Sequence, residues 1–140
     1  MNTNLREGQS NLIFKNQKGD KAMAKQRYFE SDNGKDLFKK LDEFLNKGRN
    51  KNQRTYANNT RILRGEGCIS VEYHETDIVT VHADGKMVLD SGGYSTVTTK
   101  ERINWFLPVG YRIYQEKWEW YITYKQQSRM LFQSGMVLFA

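Results

Sequence analysis

The residues best suited to chemistry lie between positions 74 and 104. His74, Thr76 and Asp77 form one polar group, Ser91-Gly92-Gly93-Tyr94 with Thr96 a second, and Thr98-Thr99-Lys100-Glu101-Arg102 a third. Free N–H groups at a helix start, glycines that admit close backbone approach, hydroxyls and two cations are what a phosphate requires. The candidate ligand set is therefore His74, Ser91, Gly92, Gly93, Tyr94, Thr98, Thr99, Lys100 and Arg102, with a nucleotide as ligand. Read structurally, the same residues supply a bend at Gly92-Gly93, a cap at Thr98 and threonines that fill a sheet. The run lacks the Gly-Lys-Ser/Thr ending of a phosphate loop.

Other chemistry is poorly served. His74 and His82, with Glu72, Asp77 and Asp84, do not repeat at the spacing of metal ligands, so no metal and no cofactor are expected. The carboxylates follow turns and exposed faces, and there is no nucleophile elbow or Ser-His-Asp order, so no catalysis is expected. A single cysteine, Cys68, excludes a disulfide framework, and no secretory leader or membrane-length apolar run is visible, which points to the cytoplasm and away from a membrane.

Charge is unevenly spread. Residues 1–64 hold 15 Lys/Arg against 7 Asp/Glu, and the rest of the chain holds 7 against 9. A basic half steers toward phosphates or an acidic partner. Lys35, Lys39, Lys40, Arg49, Lys51 and Arg54 are the candidate contacts to nucleic acid or to a nucleic-acid-binding host protein. Tyr114 and Tyr121, with Trp105, are further candidates as base-stacking platforms.

The elements that must position these residues form an α+β domain of antiparallel hairpins. Residues 1–31 read as a polar arm and 32–140 as one domain. Leu37, Phe38, Leu41, Phe44 and Leu45 recur at helical spacing, which predicts an amphipathic helix over about 33–47 capped by Asp32 and closed by Gly48. Residues 48–61 read as a basic connector and 62–140 as a sheet-rich core. Asp84-Gly85 predicts a two-residue turn pairing Val81 with Val88 and His82 with Met87. Thr98 and Glu101 form a capping box for a short helix ended by Pro108, with Ile103, Phe106 and Leu107 inward. A hairpin over 111–124, turning at Glu116-Lys117, puts Tyr111, Ile113, Trp118, Trp120 and Ile122 on the core face, with Arg112 opposite Tyr121 and Tyr114 opposite Glu119. Met130–Phe132 and Met136–Phe139 read as a third hairpin. Its apolar end must be buried in the sheet or used in self-association, and truncation after Ser128 would then leave a soluble monomer.

The stretch Asn58–Tyr121 resembles a family of small proteins encoded by phages and prophages. The matching residues are NNT at 58–60, YHETDIVTVHADGKMVLDSGGYSTVTTKERIN at 73–104 and WEW at 118–120. The resemblance implies a phage accessory role. Joined to the basic N-terminal half, it leads to the expectation of a non-enzymatic protein that binds nucleic acid or a host nucleic-acid-binding complex, in the manner of a counter-defence inhibitor. The rivals are a protein that sequesters a nucleotide and a self-associating virion or assembly component.

Overall fold

The computed structural model describes residues 28–140; the remainder of the expected N-terminal arm lies outside them. The first described element is helix α1 (Gly34–Asn46). Leu37, Leu41 and Leu45 recur every four residues and are all fully buried, so one stripe of the helix is its anchor. The cap is Asn33, one residue beyond the expected Asp32: its side chain accepts from the Asp36 N–H at 2.8 Å. Asp36 in turn accepts from the Asp32 N–H and pairs with Lys40 at 3.3 Å, one turn on. At the other end Gly48 N–H donates to the Leu45 carbonyl, and the Lys51 ammonium donates to the carbonyls of Asn46 and Gly48.

Nine strands follow among the described residues. β1 (Gln53–Ala57), β2 (Thr60–Arg64), β3 (Cys68–Tyr73), β4 (Thr76–His82) and β5 (Lys86–Leu89) join β9 (Met136–Phe139) in an antiparallel sheet of order β1-β2-β3-β4-β5-β9. β6 (Tyr111–Glu116), β7 (Glu119–Tyr124) and β8 (Ser128–Leu131) form a second antiparallel sheet, and helix α2 (Val97–Phe106) lies between β5 and β6 in the chain. α1 packs on β2 to β5 and α2 on β4 and β6. The Asn104 side chain docks the second sheet onto α2: its amide donates to the Ile113 carbonyl at 2.8 Å and accepts from the Ile113 N–H at 2.7 Å, occupying the edge of β6 as a strand would. Ile62, Val71, Val79, Met87, Phe106, Ile113 and Trp120 belong to one continuous core. The α+β class and its antiparallel pairing are as the residue pattern predicts.

Several details differ. The basic connector contains β1 and the start of β2, joined by a turn in which Asn59 takes φ 54°. Tyr56 is its inward residue, packed with Phe29, Phe44 and Phe106. Phe29 and Ser31, assigned to the arm, are tied to the body: Phe29 N–H donates to the Trp105 carbonyl and the Ser31 carbonyl accepts from the Val109 N–H. In the β4–β5 hairpin Val81 pairs with Met87 and Thr80 with Val88, one residue away from the expected register. The expected register would have turned Asp90 toward the core, because a one-residue slip inverts every side chain of a strand. The observed one places Val79, Val81, Met87 and Leu89 on one buried face. α2 is capped by Thr96, whose hydroxyl accepts from the Thr99 N–H at 3.1 Å; Thr98 and Glu101 lie inside the helix.

The β6–β7 turn falls at Lys117-Trp118, both at positive φ (51° and 73°), so Tyr114 faces Tyr121 and Arg112 faces Thr123. This shift is by two residues, which preserves the faces. Ile113, Trp120 and Ile122 remain in the core, while Trp118 moves to the tip and is 90% exposed. The third hairpin does not form. β8 pairs with β7 and β9 with β5, and Gln133-Ser134-Gly135 carries the chain from one sheet to the other.

Candidate functional site

Five of the nine residues expected to bind a ligand come together. His74, Ser91, Gly92, Tyr94 and Thr99 line a cleft of about 920 Å³, with Asn59, Tyr73, Glu75, Thr76, Ile78 and Thr96. Three short segments build it: the β1–β2 turn, the β3–β4 turn and the loop from β5 into α2. His74 sits at φ 58°, held by its N–H donating to the Asn59 carbonyl at 2.9 Å, and its ring lies 4.4 Å from that of Tyr73. The loop is fixed by Asp90, which accepts from the Gly92 N–H at 2.7 Å, and by a 2.9 Å contact between the Ser91 and Ser134 hydroxyls. Gly92 has φ 67°, and a Cβ there would stand 2.5 Å from the Thr76 hydroxyl, so only glycine fits both the turn and the contact.

The expected cations are elsewhere. The Arg102 guanidinium lies 4.2 Å from the Trp105 ring centroid and 5.3 Å from that of Tyr73, and its Nε donates to the buried Thr60 hydroxyl at 2.9 Å. Lys100 lines a different hollow, of about 460 Å³, beside Tyr28, Arg112 and Tyr114. Neither Thr98 nor Gly93 lines the cleft. Glu75 is the carboxylate in the lining. On β4, where Asp77 pairs with Glu72, burial first and the Glu72 carboxylate second hold the Asp77 carboxyl above its usual range. Among the described residues no three His, Cys, Asp or Glu side chains cluster as metal ligands.

The six basic contact candidates divide in two. Lys40 pairs with Asp36 and donates to the Glu30 carbonyl at 3.1 Å, Lys51 closes the end of α1, and Arg54 donates to the Phe44 carbonyl at 2.7 Å while lying over its ring at 4.1 Å. These three hold the helix to its surroundings. Lys35, Lys39 and Arg49 are exposed.

A second arrangement was only half visible in the residues. On the outer face of β6–β8, Tyr114 and Tyr121 stand directly opposite, ring centroids 5.9 Å apart and planes at 30°. The Arg129 guanidinium lies 3.9 Å above Tyr121 and donates to the Tyr114 hydroxyl at 3.2 Å and to the Glu116 carboxylate. The hydrogen bond to Tyr114, then that to Glu116, keeps this arginine protonated at still higher pH than usual. Exposed Arg112 sits on the same face, opposite Thr123. Arg129 had no sequence signal, because its strand pairs through a register that local pattern does not encode. Trp105, the third expected platform, is 9% exposed and belongs to the core.

No helix among the described residues is long and apolar enough to cross a membrane. No curated protein and no solved structure matches the chain. The model of the Kyanoviridae Gp96 protein family matches residues 38–139, a span that holds the cleft, the Tyr114–Tyr121 face and most of α1, which the resemblance over 58–121 had left outside. The chain belongs to the Kyanoviridae Gp96 protein family, a family of phage proteins.

Proposed function

We propose that this phage protein is a non-enzymatic binder of single-stranded nucleic acid, using the outer face of β6–β8. The observation that carries the reading is the pairing of Tyr114 and Tyr121 with Arg129 stacked on one ring and Arg112 beside them. The Tyr114 ring and the Arg129 guanidinium lying on Tyr121 give successive bases a surface to stack on, and the exposed Arg112 supplies a cation for a phosphate beside them. The exposed Lys35, Lys39 and Arg49 supply longer-range attraction. A phage protein with this chemistry would compete with host nucleic-acid-binding complexes for a strand, which is the route by which a counter-defence role would act.

The test is fluorescence anisotropy with a labelled single-stranded oligonucleotide and its duplex, over a range of salt. Binding should favour the single strand and weaken as salt rises, because phosphate contacts release counterions. Tyr121→Ala should cost about 1–3 kcal/mol of affinity by removing one stacked base, and Lys35→Ala with Lys39→Ala should flatten the salt slope. Binding indifferent to salt, or unchanged in Tyr121→Ala, rejects the proposal.

A further inference from the structure

The cleft between the β3–β4 turn and the β5–α2 loop carries a different chemistry from the nucleic-acid face. Its lining combines aromatic faces (Tyr73, His74, Tyr94), hydroxyls (Thr76, Thr96, Thr99), the Asn59 amide and the Glu75 carboxylate, with no lysine or arginine. The Arg102 guanidinium is held over the Tyr73 and Trp105 rings and by Thr60, with its side chain 12% exposed. A phosphate entering here would meet the Glu75 carboxylate with no lysine or arginine in the lining to bind it, an arrangement that disfavours an anion.

From this composition we infer that the cleft binds an uncharged, polyhydroxylated ring, a sugar residue. The C–H face of such a ring packs on aromatic side chains, and its hydroxyls, each both donor and acceptor, match hydroxyls, an amide and a carboxylate. Tyr94 is the anchor. It is 66% exposed at the rim although its N–H is tied back to the Ser91 carbonyl at 3.1 Å, so the ring is presented on a fixed backbone. His74 is held at positive φ by the Asn59 carbonyl, and its ring lies tilted at 56° to that of Tyr73, centroids 4.4 Å apart. Backbone strain of this kind costs free energy and persists where neighbours over-determine it. Gly92 keeps the floor open, since any side chain there would run into Thr76.

The experiment is a titration of the whole isotope-labelled chain followed by amide chemical shifts, with glucose, galactose, mannose and N-acetylglucosamine as probes, and inorganic phosphate and adenosine monophosphate as contrasts. At least one sugar should shift the signals of Ser91, Gly92, Gly93 and Tyr94 in a saturable way, with a Kd of about 1 mM or tighter. The two anions should leave those signals in place. Tyr94→Ala should weaken the sugar about tenfold while the remaining spectrum reports an intact fold, because the ring is exposed. Glu75→Gln should retain most of the affinity, the amide still offering hydrogen bonds. If no sugar in the panel moves these signals, or if adenosine monophosphate moves them and the sugars do not, the inference is overturned. Loss of all binding in Glu75→Gln would overturn it too, by pointing to a cationic ligand. The nucleic-acid proposal stands or falls separately, since none of these residues lies on the β6–β8 face.

Discussion

At the scale of single residues, type and spacing identify groups able to do chemistry, but direction decides what each one does. Arg102 has the charge and position for a phosphate ligand, yet its guanidinium lies against two rings and is satisfied by a buried threonine hydroxyl. Tyr94 is tied through its N–H to the Ser91 carbonyl, and its exposed ring lines the cleft. Asp77 offers a direct electrostatic check. Burial first, and the Glu72 carboxylate second, favour its protonated form in the folded chain. A raised folded pKa contributes stability that is full below the usual carboxylate range and is lost as pH rises through the folded value. Asp77→Asn should therefore be more stable than the native chain at neutral pH, by about 0.5 kcal/mol or less since the group is largely solvated. The difference should close in acid, as read from urea denaturation at several pH values. A difference constant across pH would show that the carboxyl charge is not its cause.

At the scale of elements, α1 meets the β4–β5 hairpin backbone to backbone. Gly34 opens the helix directly against Gly85 of the hairpin, and a Cβ on Gly34 would stand 2.0 Å from the Gly85 carbonyl oxygen. Both partners are backbone, so neither can swing aside. Gly34→Ala should destabilise the fold by about 1–3 kcal/mol, lowering the thermal midpoint, although alanine is the better helix former in isolation. An unchanged midpoint would mean that α1 shifts freely on the sheet. This junction was not legible in the sequence, because two glycines so far apart along the chain reveal nothing of their approach until the helix is docked. What was legible followed from periodicity: the Leu37, Leu41 and Leu45 stripe, and the inward parity of Ile113, Trp120 and Ile122. Parity survived even where the β6–β7 turn was misplaced, since a shift of two residues keeps every face. In the cleft, His74, Ser91, Gly92, Tyr94 and Thr99 were identified by type, whereas Asn59, Tyr73 and Glu75 were missed because they arrive from turns whose meeting depends on strand pairing.

At the scale of the whole molecule, residues 128–140 stitch the two sheets together. β8 extends the small sheet, Phe132 packs on Trp120 with ring centroids 5.4 Å apart, and β9 covers the edge of β5 with Leu138 buried. Truncation after Ser128 would therefore leave Met87, Leu89 and Trp120 without their cover. It should abolish cooperative unfolding rather than yield a soluble monomer. Self-association through this region needs a gentler probe. β9 is an edge strand with an apolar sequence, and Val137 and Phe139 are 44% and 81% exposed on it. An unpaired apolar edge of this kind is prone to pair with another strand, and an inserted lysine blocks such pairing. The expected outcome is that the native chain grows in mass with concentration in light scattering, while Val137→Lys with Phe139→Lys stays monomeric at an unchanged melting temperature. A native chain that remains monomeric throughout would show that the edge is unused. A double variant that melts early would show that both side chains are needed for the fold itself.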